Sequence, residues 1–128
     1  MTTRSNSLRR TLLAVTAIAC VGCGAATTAV QRSVGPGHTE RITLSDYHIA
    51  GLPASLASGP EAFDVTNKGE TLHNFTVERN GQLTARTHDL APGQRAQLEI
   101  TLQPGTYTYL CTVPGHAALG MEGTFDVS

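Results

Sequence analysis

Turn signals recur roughly every ten residues through the C-terminal two thirds of the chain, which leaves no room for a helix of ordinary length. "GLPASLASGP", "TNKGET", "RNGQ", "APGQ" and "QPGT" punctuate short runs rich in Val, Ile, Thr, Tyr and Phe. Strands are therefore predicted near 40–45, 62–66, 72–79, 82–87, 95–102, 105–111 and 121–127, with a further early strand over 46–50. "LASGPEAF" is compatible with a turn of helix. Seven to eight short strands in about 90 residues imply an all-β sandwich. No internal repeat and no second domain stand out.

The last two predicted strands frame an unusual loop. Alternate residues of a strand share a face, so Tyr107, Tyr109 and Cys111 point one way. Met121, Gly123, Phe125 and Val127 share a parity whose apolar members mark the core side. Cys111 and Met121 thus stand at the two ends of one loop, both directed inward, with His116 midway. Four further histidines are available. His73 aligns with Phe75 and Val77 on a buried stripe, whereas His38, His48 and His88 lie in a tether, an early strand and a polar turn.

Two imidazoles, a thiolate and a thioether suit a blue-copper site, a trigonal N₂S plane with a weak axial sulfur. Soft sulfur favours Cu(I), imidazole and thiolate suit Cu(II), and a set acceptable to both changes little when an electron arrives. Each residue alone has an ordinary explanation: a core cysteine, a core methionine, a satisfied buried histidine. Their convergence from two segments is what points to a metal. Zinc fits less well, because structural zinc favours more thiolates and rarely takes a thioether. A dicopper centre needs a second loop cysteine. No nucleophilic triad, carboxylate pair or phosphate-cradling loop is evident, so an enzyme is not expected.

The motifs "GETLHNF" (69–75) and "YLCTVPGHAALGMEG" (109–123) resemble those of the cupredoxins, the plastocyanin- and azurin-like blue copper proteins. The resemblance extends diffusely over residues 40 to 128. It implies a Greek-key sandwich with one copper at one end, held equatorially by His73, Cys111 and His116 and axially by Met121. It further implies that Asn74 ties the two ligand loops together and that electrons pass through the edge of His116. Ala117, Ala118 and Leu119 would then form part of a docking patch for redox partner proteins. Pro114 lacks a backbone donor and so withholds a hydrogen bond from the thiolate, which is expected to raise the reduction potential. Copper delivery, or a fixed place in a respiratory complex, are the competing functions.

The N-terminus reads as an export signal over residues 1–23, followed by a flexible tether over 24–38 and the copper domain over 39–128. Arg4, Arg9 and Arg10 precede a short apolar run, and small residues surround Cys20 and Cys23. This resembles a lipoprotein signal, with either cysteine as the lipidation site. Cleavage after Gly24 and an uncleaved anchor are the alternatives. All three place the domain outside the cytoplasm, in the periplasm or on the outer face of the cell membrane. With the signal set aside, Cys111 is the domain's one cysteine, so no intradomain disulfide is expected. Six basic residues against ten acids then leave a net charge of −4, which argues against a nucleic-acid partner.

Overall fold

The computed structural model describes residues 37–128. The readings of residues 1–36, including those of Cys20 and Cys23, lie outside the described residues. Among the described residues nine strands occur: β1 (His38–Ser45), β2 (His48–Ala50), β3 (Ser55–Leu56), β4 (Gly59–Asn67), β5 (Thr76–Arg79), β6 (Gln82–Arg86), β7 (Arg95–Leu102), β8 (Gly105–Leu110) and β9 (Glu122–Val127). They form two sheets, ordered β2-β1-β4-β7 and β3-β9-β8-β5-β6. Most neighbours are antiparallel, but β1 runs parallel to β4 and β3 parallel to β9. Such crossovers close a sandwich rather than a simple meander.

The core lies between the sheets and follows the strand period. Ile42 and Leu44 from β1 and Phe63 and Val65 from β4 are buried on one side; Val77, Tyr107, Phe125 and Val127 come from the other. Aromatic rings concentrate the burial. Phe63 meets Phe75 edge-on at 5.3 Å, and Tyr107 stacks on Phe125 at 5.3 Å, both arrangements that ring quadrupoles favour. The "RNGQ" turn joins β5 to β6 with Asn80 and Gly81 at φ 53° and 71°, the left-handed pair that a two-residue hairpin of native twist requires.

Four boundaries differ from the sequence reading. The strand predicted over 72–79 begins only at Thr76, because residues 73–75 send their backbone groups elsewhere. His73 pairs with Leu90 in an isolated bridge, and Phe75 exchanges bonds with Thr87. The strand predicted over 46–50 is a turn at Asp46 and Tyr47 followed by β2, with Tyr47 at φ 64°. "LASGPEAF" holds no helix, since β3 and the start of β4 occupy it. His38, predicted as the last tether residue, begins β1, where it pairs with Glu61.

Candidate metal centre

One end of the sandwich collects the predicted donors. β8 delivers Cys111 just beyond its last residue, and the following loop returns through His116 to Met121 before β9. That loop is closed by its own backbone: Cys111 N–H donates to Met121 O at 2.9 Å, and Met121 N–H to His116 O at 3.1 Å. A short 3₁₀ turn (Ala117–Leu119) ends at Gly120, whose φ of 118° favours glycine. His73 arrives from the segment before β5. It and Met121 are fully buried, Cys111 nearly so, and His116 half-buried.

Three donor atoms converge. His73 Nδ1 and His116 Nδ1 lie 3.0 Å apart, and Cys111 Sγ lies 4.0 Å from the first and 3.8 Å from the second. A point equidistant from all three falls inside the triangle at about 2.1 Å from each, within the range of first-row metal bonds to nitrogen and sulfur. The donor set fits a trigonal copper site. Met121, buried beside the loop that carries the other two, is the thioether available to it.

The surroundings fix which nitrogen faces inward. Asp46 Oδ1 lies 3.0 Å from His73 Nε2 and also accepts from Thr71 Oγ1 at 3.1 Å and the Glu70 amide. A carboxylate at Nε2 holds the proton there and leaves the Nδ1 lone pair directed into the triangle. The Glu70 amide and then the His73 ring lower the Asp46 pKa below the usual carboxylate value, so the carboxylate stays charged. Gly69 makes room for this pair, since a Cβ there would stand 2.7 Å from His73 Nε2 and 2.8 Å from Asp46 Oδ1. Asn67 closes the loop around it, bonding Thr71 O, Leu90 O and the Gly69 amide at 2.8 Å each.

Asn74 bonds across from the segment carrying His73 to Thr112, next to Cys111. Its Oδ1 accepts from the Thr112 amide at 2.9 Å, from Thr112 Oγ1 at 3.2 Å and from Thr76 Oγ1 at 3.1 Å. Its amide N–H reaches Cys111 Sγ at 3.5 Å. Its side-chain nitrogen donates to Asp89 at 2.8 Å, and this bond, with that from Arg86, depresses the Asp89 pKa. Tyr47 meets the His116 ring edge-on at 5.6 Å.

Asp46, Tyr47, Asn67 and Asp89 went unread in the sequence. Asp46 is 27 positions from His73, and only the register of β1 against β4 brings the two together. No local signal marks it. Of the remaining histidines, His38 stands at the far end of β1, while His48 and His88 make no part of the donor triangle.

The copper-binding protein family described as plastocyanin/azurin matches residues 57–128 by its sequence profile, more than half of the chain. The chain belongs to this family. It is 38% identical over 72 residues to rusticyanin of Acidithiobacillus ferrooxidans, covering 52% of this chain and 44% of that protein. The chain thus matches less than half the length of that relative. A dithionite-reduced auracyanin from Roseiflexus castenholzii superposes with a TM-score of 0.61 at 20% identity, over 73% of this chain and 98% of its own. A multicopper oxidase does so at 0.58 and 18%, over 73% and 45%. At such identities the two structures show the fold alone, a cupredoxin sandwich common to both. The cofactor of this family is copper.

Proposed function

We propose that this cupredoxin is a one-electron carrier, with His73 Nδ1, Cys111 Sγ and His116 Nδ1 as the equatorial copper ligands and Met121 as the axial one. The observation that carries the reading is the preformed donor triangle. Bound copper supplies the Cu(II)/Cu(I) couple. The protein's part is to keep the donors where both states accept them. Asp46 holds the His73 ring, Asn74 ties its neighbour to Thr112, and backbone bonds clamp the 111–121 loop. Little is left to rearrange, which suits rapid electron exchange.

Burial shapes access. His73 and Cys111 are shielded, so the half-buried His116 ring is the part of the site turned toward a partner. Exposed apolar side chains stand near it: Tyr47 against the His116 ring, Leu119 in the same loop beside Ala117 and Ala118, and Leu72 next to His73 in sequence. A small apolar surface suits the brief encounters of redox partner proteins. The same shielding argues against an enzyme, because a buried four-donor set leaves no open position for substrate. The N-terminal sequence supports export, with the domain tethered through lipidated Cys20 or Cys23 or released after cleavage.

Addition of Cu(II) to the purified protein should give an intense blue absorption that vanishes on reduction and is abolished by Cys111→Ala. A colourless copper complex would overturn the assignment. Ready loss of copper to a weak Cu(I) chelator would instead favour delivery of the ion.

A further inference from the structure

The opposite end of the sandwich carries a second set of metal donors. β1 and β4 run parallel with His38 opposite Glu61, Glu40 opposite Phe63 and Ile42 opposite Val65. Their inward stripes therefore read His38, Glu40, Ile42, Leu44 and Glu61, Phe63, Val65, Asn67. The apolar members build the core, and the stripe ends in three chelating side chains on the face turned toward the other sheet. One ligand atom from each of His38, Glu40 and Glu61 lies within 4.8 Å of the other two, and His38 Nδ1 is 3.2 Å from Glu40 Oε1.

Glu61 is the anomaly. It is only 4% exposed, and its Oε1 has no hydrogen-bond partner among the described residues. Glutamate is almost never buried unless paired, and an orphaned buried oxygen calls for a ligand, a water or an ion. The same three residues line a cavity of about 410 Å³ together with Pro53, Leu56 and Ser58. The His38 side chain is 74% exposed and Glu61 is buried, so the cluster opens to solvent on the histidine side.

The structure assigns a second cation site to His38, Glu40 and Glu61, distinct from the copper centre and on the order of 20 Å from it along β1. One imidazole and two carboxylates favour a first-row divalent ion such as zinc over calcium or magnesium, which take oxygen alone. Glu61 and Glu40 neutralise the ion, His38 supplies the nitrogen that selects it, and water completes the shell at the exposed side. Burial, which raises the pKa of Glu61, becomes an advantage once a cation is present, because the charge pair forms in a low dielectric. The assignment does not depend on the electron-transfer reading.

Zinc titrated into the full-length protein, first saturated with Cu(I), tests it. Histidine-resolved NMR should show the His38 imidazole signals shifting to completion at one equivalent while those of His73 and His116 stay fixed. Calorimetry should show Glu61→Gln and His38→Ala each weakening zinc binding about tenfold or more, since even outer partners of a metal are worth that much. His38 is exposed, so its variant leaves the fold intact. Unmoved His38 signals, or equal zinc affinity in wild type and both variants, would overturn the site and leave Glu61 a protonated or hydrated carboxyl. Zinc appearing at His73 and His116 would show instead that copper had not filled the first centre, a failure of the copper reading that His38 reports separately.

Discussion

A carboxylate against the outer nitrogen of His73 is the residue-scale feature with the clearest consequence. A charged acceptor makes a hydrogen bond roughly twice as strong as a neutral one, and it pushes electron density onto the ring. That favours the more highly charged Cu(II). Asp46→Asn keeps an acceptor but removes the charge, so Cu(II) affinity should fall about tenfold. If Cu(I) affinity is unchanged, the reduction potential rises by about 59 mV. Voltammetry showing no rise would dismiss the role. Pro114 reverses its expected sign when charge is followed. A donor to Sγ stabilises a thiolate that gives less of its density to the metal, the situation in Cu(I). Asn74 supplies one such N–H at 3.5 Å. Pro114 has no N–H to offer, so by this argument Pro114→Ala is expected to raise the potential, and an unchanged or lower value in the same voltammetry would dismiss the idea. The donor residues were legible because chemistry limits which side chains bind copper; Asp46 was not, because a carboxylate in a turn looks like any other.

At the scale of elements, regularity decided what could be read. β8 and β9 keep an unbroken register from Gly105↔Val127 to Leu110↔Glu122, so parity placed Cys111 and Met121 inward. The same reasoning set His73 on a strand with Phe75 and Val77. The residue is inward, but for another reason: it is held by the bridge to Leu90, outside any ladder. Period-2 patterns cannot distinguish a strand from an extended segment whose partners are side chains. Neither could they show that Gly69 is buried against the Asp46–His73 pair while Glu70, Thr71 and Leu72 stay exposed. Gly69 lacks a positive φ, so the cost of Gly69→Ala is steric, falling on the Asp46–His73 pair. Overpacking of this kind costs about 1–3 kcal/mol. Thermal unfolding of the metal-free variant should show that loss, with copper affinity reduced in parallel; wild-type values in both would mean the loop yields freely.

Over the whole molecule, the two sheets bring chelating residues to both ends of one core, and the two ends differ in how they treat charge. At the copper end every buried polar side chain is bonded: Asn67, His73 and Asn74 all find partners. At the other, Glu61 is left with an orphaned oxygen. The sandwich architecture was legible from turn spacing, but this asymmetry was not, because the sequence reading ended its tether at His38 and so never set it beside Glu61. Its energetic sign is definite. Burial raises the folded pKa of Glu61 above the ordinary 4.5, so the unfolded chain ionises first and stability falls as pH rises from 4.5 through the folded value. Glu61→Leu removes both the ionisation and the unsatisfied oxygen. The metal-free variant should gain about 1–3 kcal/mol at neutral pH, and the part due to ionisation should vanish below 4.5. Zinc should close the gap by stabilising wild type alone. A chemical-denaturation series across pH, with and without zinc, reads all three effects. A Glu61→Leu protein no more stable than wild type at pH 7 would mean that the carboxyl is already satisfied where it sits.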